Sequence, residues 1–263
     1  MKNKKEKIVL ITGGCGFLGW EHAKSLIELS FYKVIIVDNS LRKIKERNNE
    51  IIANNLNIEI FKCNIEKKKE IKQILIKILK KYKKIDILIN NASIDFVPKS
   101  KIKKNNDFVK FNLGRWEKEI KVGLTGAFLF CQLVGKIMKK NNYGIILNIA
   151  SDLSVIAPNQ SLYKHLNTIK PVTYSIIKSG IHGLTLYLAS LWAKNGIRVN
   201  TLSPGGVFNN QDKLFIKKIE SVIPMNRMAN KNEYYGAIKF LCTDESSYMT
   251  GQNIIIDGGR TII

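Results

Sequence analysis

Thr12-Gly-Gly-Cys-Gly-Phe-Leu-Gly19 follows a short apolar run and precedes a segment with helical periodicity. Glycines at such a strand-to-helix junction let the backbone approach a pyrophosphate held at the helix N-terminus. A tight turn that packs a helix closely against a strand would explain the same glycines. Four glycines at the first junction of this kind, with Asp38 at the end of the next apolar run, favour dinucleotide binding.

Apolar runs and helical patterns alternate along the rest of the chain. The runs predict strands at 7–12, 33–38, 58–64, 85–90, 144–149, 197–202 and 253–257. Helices are expected at 17–29, 41–54, 66–82, 115–140, 174–194 and 231–243. This alternation predicts an α/β fold, a doubly wound parallel sheet of about seven strands with helices on both faces. The ligand crevice of such a sheet lies beyond the carboxyl ends of the strands, where we expect Thr12, Asp38, Asn90, Ser151 and Pro204.

Length and composition limit the class of protein. A chain of 263 residues without a Pro-, Gly- or Ser-rich linker suits a single domain over residues 1–263. The four cysteines are widely spaced and form neither a metal-ligand nor a disulfide pattern, so we expect a reducing compartment and no metal. No apolar run approaches the roughly 18 residues of a membrane span, and the first run is too short for a signal peptide. The sequence predicts a cytoplasmic protein with no membrane partner.

The net charge of +22 would ordinarily suggest nucleic acid as a partner. Lys, Asn and Ile are abundant in every segment, including the turns and the polar backs of the helices. That distribution indicates a general compositional bias and not a basic patch. We therefore expect no nucleic-acid partner.

Tyr174-Ser-Ile-Ile-Lys178 places a phenol and an ammonium four residues apart, on one face of a predicted helix. The spacing alone is not diagnostic, because Tyr235 and Lys239 repeat it. A cation near a phenol favours its ionised form, and a phenol tuned in this way can act as a general acid or base. The glycine-rich turn and Ser151 upstream single out Tyr174 and Lys178 as the candidate pair.

Asp38 follows Gly19 by 19 residues. A carboxylate at this distance can accept hydrogen bonds from ribose hydroxyls and would repel a 2′-phosphate. The pattern therefore favours NAD(H) as the cofactor. NADP(H) is not excluded, because Arg42 or Lys43 could offset the carboxylate, and a helix N-cap is the alternative explanation for Asp38.

The motifs of this chain resemble those of the short-chain dehydrogenase/reductase family over essentially its whole length. They occur in the family's order: the glycine-rich turn, Asn90-Asn91-Ala92, Ser151, Tyr174-x-x-x-Lys178, Pro204-Gly205 and Tyr248-Met-Thr-Gly-Gln…Asp257-Gly-Gly. The resemblance implies a Rossmann-type fold and a homo-oligomer, a tetramer or a dimer. It also implies catalytic roles: Tyr174 as the general acid/base, Ser151 as the hydroxyl that holds the substrate carbonyl, and Lys178 as the group that binds the nicotinamide ribose.

Motifs and resemblance together predict which residues touch each ligand. The expected cofactor contacts are Thr12, Gly13, Cys15, Gly16, Phe17, Leu18, Gly19, Asp38, Asn39, Asn64, Ile65, Asn91, Ala92, Ser93, Tyr174, Lys178, Pro204, Gly205, Val207 and Asn209. The candidate substrate contacts are Ser151, Asp152, His165 and Gly206. For His165, a proton shuttle is the functional interpretation and a surface-loop histidine is the alternative.

Two departures from the family pattern concern the chemistry. Gly123 stands where the resemblance places a catalytic Asn that props a water chain, and we expect its main-chain carbonyl to keep that proton path. Ser151 and Tyr174 are 23 residues apart, which by comparison with the family implies an insert of about ten residues, and we expect the segment 152–173 to loop out beside the substrate pocket.

Three stretches of the C-terminal half resemble one group within the family. Segments 170–174, 202–211 and 224–229 are most similar to oxidoreductases of bacterial surface-glycan pathways, which include flagellin-modification enzymes associated with nonulosonic (legionaminic-type) acid sugars. The resemblance implies NAD(P)(H)-dependent interconversion of a secondary alcohol and a ketone on a polar, sugar-related small molecule. One alternative is a 3-oxoacyl-carrier-protein or gluconate-type reductase, because the same residues serve both. The other is a non-catalytic dinucleotide-binding module, which the missing Asn makes conceivable.

Overall fold

The structure, a computed structural model, describes residues 6–98 and 106–263. Its centre is a seven-stranded parallel sheet in the order β3-β2-β1-β4-β5-β6-β7. The strands are β1 (Lys7–Thr12), β2 (Tyr32–Asp38), β3 (Ile58–Lys62), β4 (Ile87–Asn90), β5 (Gly144–Ile149), β6 (Ile197–Pro204) and β7 (Asn253–Ile256). This order confirms the predicted doubly wound α/β fold. The direction of strand addition reverses between β1 and β4, which opens a crevice at their carboxyl ends.

Helices cover both faces of this sheet. They are α1 (Phe17–Ile27), α2 (Leu41–Ala53), α3 (Lys68–Tyr82), α4 (Leu113–Ile120), α5 (Gly126–Asn141), α6 (Val172–Trp192), α7 (Lys213–Glu220) and α8 (Tyr235–Cys242). Alternate residues of each strand point to opposite faces. On β1, Ile8 and Leu10 pack with α3 and α5, and Val9 and Ile11 pack with α1 and α8. Because both faces are covered, the inner strands β1, β2, β4 and β5 are mostly apolar, as a buried parallel sheet requires.

Two helical features differ from the sequence predictions. The helix predicted at 115–140 consists of α4 and α5 joined by a π-helical segment, Lys121–Thr125. Helix α7 was not predicted. Phe215 and Ile219, four residues apart, are its buried side chains, and the Asp212 carboxylate caps it by accepting from the N–H groups of Leu214 and Phe215. A helix of two turns presents too few apolar positions to stand out as a periodic pattern.

The helical segment Leu113–Asn141 is long and apolar, although the sequence contains no continuous apolar run of membrane-spanning length. By length and composition it could cross a membrane, with a mean hydropathy of 1.4 over its most apolar window. Phe130, Val134 and Met138 from this segment lie in the core between the helices and the sheet. The core helix of a globular protein passes the same test, so the composition is weak evidence for a membrane span.

Candidate active site

The carboxyl ends of the strands open onto a cavity of about 680 Å³. It is lined by most of the residues predicted to contact the cofactor: Gly13, Gly16, Phe17, Leu18, Gly19, Asp38, Asn39, Asn64, Ile65, Asn91, Ala92, Ser93, Tyr174, Lys178, Pro204, Gly205, Val207 and Asn209. Of the predicted substrate contacts, Ser151, Asp152 and Gly206 line it as well. Residues from the ends of six strands, β1 to β6, therefore meet in one place.

Three predicted contacts do not line the cavity. The Thr12 hydroxyl accepts hydrogen bonds from the N–H groups of Asn91 and Ala92, both at 3.1 Å, and so braces the neighbouring loop. The Cys15 side chain is buried, and its N–H donates to Asp38 Oδ2 at 3.1 Å. His165 also lies outside the cavity lining, contrary to the predicted substrate contact. Its Nε2 lies 2.8 Å from Asp212 Oδ1, so the imidazole anchors its loop to the start of α7.

The glycine-rich turn forms a backbone cradle with no room for side chains. Gly13 has a φ of +63°, and a Cβ there would lie 2.8 Å from the Ala92 Cα. A Cβ at Gly19 would lie 2.5 Å from the Gly13 carbonyl oxygen and 2.6 Å from Asn91 Nδ2. Gly16, the N-cap of α1, has no side chain that could occupy the N–H groups of the first helical turn. This cradle fits a dinucleotide diphosphate, which such N–H groups and the helix dipole bind.

The Asp38 carboxylate is fixed at the cavity wall. Oδ2 accepts from the Cys15 N–H at 3.1 Å, and Oδ1 accepts from the Ser40 N–H at 3.0 Å. The N-cap of α2 is Ser40, so capping does not explain Asp38. A carboxylate has about four lone-pair sites, so both oxygens keep capacity for hydroxyl donors. Lys43 also lines the cavity.

Buried hydrogen bonds hold α6 against the centre of the sheet. Asn90 Nδ2 donates to Asn148 Oδ1, and Asn148 Nδ2 donates to the Thr185 hydroxyl, both at 2.8 Å. The Thr201 hydroxyl lies 2.7 Å from that of Thr185. The chain of bonds runs from β4 through β5 to α6 and β6, and it fixes the helix that carries Tyr174.

Ser151, Tyr174 and Lys178 meet where β5 ends against α6. The Lys178 ammonium donates to the Ile149 carbonyl oxygen at 3.0 Å and lies 5.6 Å from the centroid of the Tyr174 ring. Ser151 Oγ donates to Asp152 Oδ1 at 2.7 Å. The Ser151 hydroxyl also acts on the Tyr174 phenol, whose pKa it lowers. A hydroxyl, a phenol and an ammonium thus face the cavity as one group.

Burial controls the protonation of this group. It raises the pKa of Tyr174 well above the usual 10, and Asp95 adds to the rise, whereas the hydrogen bond with Ser151 opposes it. Burial also lowers the pKa of Lys178 to about 8. The protein alone therefore holds the phenol protonated, which is the form that donates a proton.

A family comparison identifies the class of protein to which this site belongs. The family model described as enoyl-(acyl carrier protein) reductase matches residues 17–261. The chain belongs to the short-chain dehydrogenase/reductase family. It is an NAD(P)-dependent oxidoreductase. When bound, NAD(P) would supply the hydride donor or acceptor for the reaction.

Several relatives are similar over nearly their whole length. Post-translational flagellin modification protein A of Campylobacter coli is 29% identical over 97% of this chain and 98% of its own. NAD-dependent glycerol dehydrogenase of Listeria innocua is 32% identical, over 99% and 96%. Among solved structures, a short-chain dehydrogenase of Leptospira borgpetersenii with bound NAD+ has a TM-score of 0.84 and 34% identity, over 98% of this chain and 93% of that one.

The cavity also contains three charged residues that the sequence did not indicate, Asp95, Lys170 and Arg260. Asp152 Oδ2 lies 2.5 Å from a guanidinium nitrogen of Arg260, and the Lys170 ammonium lies 3.6 Å from Asp95 Oδ1. All four residues line the cavity. Arg260 is 108 residues from Asp152 in the chain, so no local spacing could have paired them. Lys170 stands four residues before Tyr174, and this proximity was the one available signal.

The four cysteines do not contribute reactive groups to the site. All are buried free thiols. Burial raises the pKa of Cys63 to about 11 and that of Cys15, Cys131 and Cys242 to about 12. Within residues 6–98 and 106–263, no group of three or more His, Cys, Asp or Glu side chains could hold a metal ion.

Gly123 lies in the π-helical segment, against the helix that carries Lys178. A Cβ at this position would lie 2.7 Å from Ile177 Cγ2 and 3.0 Å from its Cδ1. Ile177 is buried and immediately precedes Lys178. The isoleucine therefore fills the space that a side chain at position 123 would need, and a single Asn cannot be placed there without moving it.

Gly123→Asn is expected to lower stability without raising turnover. Overpacking of this kind costs roughly 1–3 kcal/mol, and displacement of Ile177 would shift Lys178. The matched variant, Gly123→Asn with Ile177→Ala, provides space and should recover part of the loss. Thermal unfolding and steady-state turnover of the three proteins measure both effects. A faster Gly123→Asn enzyme of unchanged stability would contradict the packing argument.

Proposed function

We propose that this enzyme interconverts a secondary alcohol and a ketone on a polar, sugar-related metabolite, with NAD(H) as its preferred cofactor. The observation that carries the proposal is the convergence of Ser151, Tyr174 and Lys178 on the cavity that the glycine cradle opens into. These three residue types are sufficient to hold a carbonyl oxygen and exchange a proton with it.

In the direction of reduction, the Tyr174 phenol donates its proton to the carbonyl oxygen, while the Ser151 hydroxyl donates a hydrogen bond to the same oxygen. Ser151 Oγ now donates to Asp152, so its hydrogen must turn toward the substrate. In the direction of oxidation, the phenolate accepts the alcohol proton, and the Lys178 charge favours that form. A proton donor placed in this way contributes about 10²- to 10⁴-fold to the rate.

The wall around these three residues supports a polar substrate. Asp95, Asp152, Lys170, Gln211 and Arg260 all line the cavity. Apolar residues of the 152–173 segment pack on α7, with the Tyr163 and Phe215 ring centroids 5.2 Å apart. Four charged side chains would be costly to desolvate against the acyl chain of a carrier-protein thioester, so we favour a hydrophilic substrate over that alternative.

The test of the proposal is NADH oxidation with two panels of ketones. One contains keto-sugars and sugar nucleotides, and the other contains acetoacetyl carrier protein and acetoacetyl thioesters. Turnover confined to the first panel supports the proposal. Turnover confined to the second would assign the enzyme to acyl reduction, and binding of NADH without turnover of either would favour a dinucleotide-binding module.

The enzyme is expected to prefer NADH to NADPH by about tenfold or more in kcat/KM, because the fixed Asp38 carboxylate would face a 2′-phosphate. Asp38→Asn keeps an acceptor and removes the charge, so the preference should shrink by about tenfold. Glu46→Gln, which removes an exposed carboxylate of the following helix, is the control and should leave the ratio unchanged. A wild-type preference for NADPH would refute the role of Asp38.

The role in nonulosonic-acid or flagellin glycan synthesis, the oligomeric state and the cytoplasmic location stay predictions from the sequence. The flagellin modification protein among the relatives supports the first of them. The glycerol dehydrogenase, which by its name acts on a polyol, supports a hydrophilic substrate.

A further inference from the structure

Two buried cations, Lys170 and Arg260, lie in the cavity wall close to Tyr174 and Ser151. The Lys170 ammonium lies 3.6 Å from the centroid of the Tyr174 ring, and its side chain is 9% exposed. Arg260 reaches Asp152, the neighbour of Ser151, and its side chain is also 9% exposed. Both residues line the cavity. Neither belongs to the Ser-Tyr-Lys set.

The backbone holds both cations in place. The Lys170 N–H donates to Gln160 Oε1 at 2.8 Å, and the following Pro171 restricts Lys170 to extended backbone. Arg260 lies within a turn in which the Asp257 carboxylate accepts from the N–H groups of Gly259 and Thr261, at 2.9 and 2.7 Å. The two charges are thus presented to the cavity by fixed segments.

Within the part of the chain that the structure describes, these two cations have few protein acceptors for their hydrogen-bond donors. An ammonium has three N–H donors and a guanidinium has five. Among the described residues, Lys170 Nζ has Asp95 Oδ1 at 3.6 Å as its ion-pair partner, and the Arg260 guanidinium makes one hydrogen bond, to Asp152. Both side chains line the cavity, so their remaining donors are within reach of a ligand there. A ligand that brings several acceptors to this wall would replace water at these donors.

The two carboxylates beside these cations are already engaged or exposed. Asp152 Oδ1 accepts from Ser151 Oγ and from the Leu153 N–H, and its Oδ2 accepts from Arg260. The Asp95 side chain is 58% exposed, and its Oδ1 accepts from the Phe96 N–H. Solvent therefore screens Asp95, and Lys170 keeps a strong attraction for a second anion.

We propose that Lys170 and Arg260 bind a carboxylate of the substrate, so that the enzyme acts on a keto acid or hydroxy acid. A carboxylate accepts charge-assisted hydrogen bonds from both cations at once, which a hydroxyl or carbonyl does less well. Because Lys170 covers the ring of Tyr174, the bound carboxylate would lie close to the reacting carbon. This inference rests on the proposed function, since it names the substrate class of the same site.

The experiment uses two pairs of probes that differ in one group. D-Gluconate has a carboxylate where D-glucitol has a hydroxymethyl group, and the rest of the carbon chain is the same. Their binding to the enzyme–NADH complex can be measured without turnover. 2-Keto-D-gluconate and D-fructose differ in the same way beside a common ketone, and their reduction by NADH is measured. We expect gluconate to bind about tenfold more tightly than glucitol, and the keto acid to have the higher kcat/KM by a similar factor.

Lys170→Met should weaken gluconate binding by about tenfold and lower the ratio of gluconate to glucitol affinity by a similar factor. Lys170→Arg should keep the preference. Lys164→Met is the matched control, because it removes an exposed lysine of the same segment, and it should change neither probe. Arg260→Lys, which keeps a partner for Asp152, should weaken gluconate binding several-fold. NADH affinity and thermal unfolding confirm that each variant is folded.

Equal binding of the two probes, weaker binding of gluconate, or a preference that survives in Lys170→Met would overturn the inference. If D-fructose is reduced as well as the keto acid, this inference fails and the proposed function stands. If NADH binds but Tyr174→Phe leaves the reduction of every ketone unchanged, the proposed function fails instead.

Discussion

Tyr174→Phe is expected to lower kcat by about 10²- to 10⁴-fold, the usual contribution of a positioned general acid or base. The substitution removes one oxygen atom, and the ring that packs beneath Lys170 remains. NADH affinity should therefore change little, and the loss should appear in kcat and not in the dissociation constant of NADH. Steady-state kinetics on the best ketone of the substrate panel, with NADH binding followed by fluorescence, separate the two quantities.

Tyr235→Phe is the matched control for this variant. Tyr235 also stands four residues before a lysine, but its hydroxyl donates to Glu21 at 2.6 Å, away from the cavity. Its removal should cost some stability and leave kcat unchanged. Equal losses of activity in the two variants would show that the phenol of Tyr174 has no special role.

Arg260→Met is expected to lower the free energy of unfolding by about 3–5 kcal/mol, because it leaves the buried Asp152 carboxylate without its cation. Turnover should fall as well, since Asp152 holds the Ser151 hydroxyl. Adding Asp152→Asn to Arg260→Met removes the unpaired charge and should restore most of the stability. Chemical denaturation of the single and double variants measures the expected recovery.

Arg227→Met provides the comparison for an exposed ion pair. Arg227 bonds Glu233 through two nitrogens, at 2.7 and 2.6 Å, and its side chain is 43% exposed. A pair of this kind is worth about 0–1 kcal/mol. If Arg260→Met cost no more than Arg227→Met, the Asp152–Arg260 pair would not be the buried anchor that the structure indicates.

The fold could be predicted almost entirely from local patterns. Most strands are apolar runs, and each predicted helix has an apolar stripe, so periodicity located them. The π-helical segment at 121–125 could not be found in this way, because a single π-helical turn inside a long helix leaves no distinct apolar pattern. Helix α7 was missed because its apolar face consists of two buried residues, Phe215 and Ile219.

Within the site, too, the features that depend on short spacings could be predicted, and the contacts between distant segments could not. The glycine turn and the Tyr174–Lys178 pair are defined by short spacings, and the structure brings them to one cavity. Asp152 follows β5, and Arg260 follows β7. The two residues meet because β5, β6 and β7 are neighbours in the sheet. The side-chain position of His165 could not be predicted, because a histidine near a catalytic motif does not show which way its side chain points. In the structure the imidazole contacts Asp212, which is 47 residues away in the chain.

The roof of the cavity is a separate hydrophobic unit. Phe96, Tyr163, Phe215 and Ile219, from the segments after β4, β5 and β6, pack with one another and share no member with the clusters on the two faces of the sheet. The free energy of local opening depends on the contacts that the opening unit loses. Opening of the roof would therefore cost its own apolar contacts and not those on the two faces of the sheet. Because its three segments pack on one another, a substitution in any one of them is expected to weaken the packing of the whole roof above the cavity.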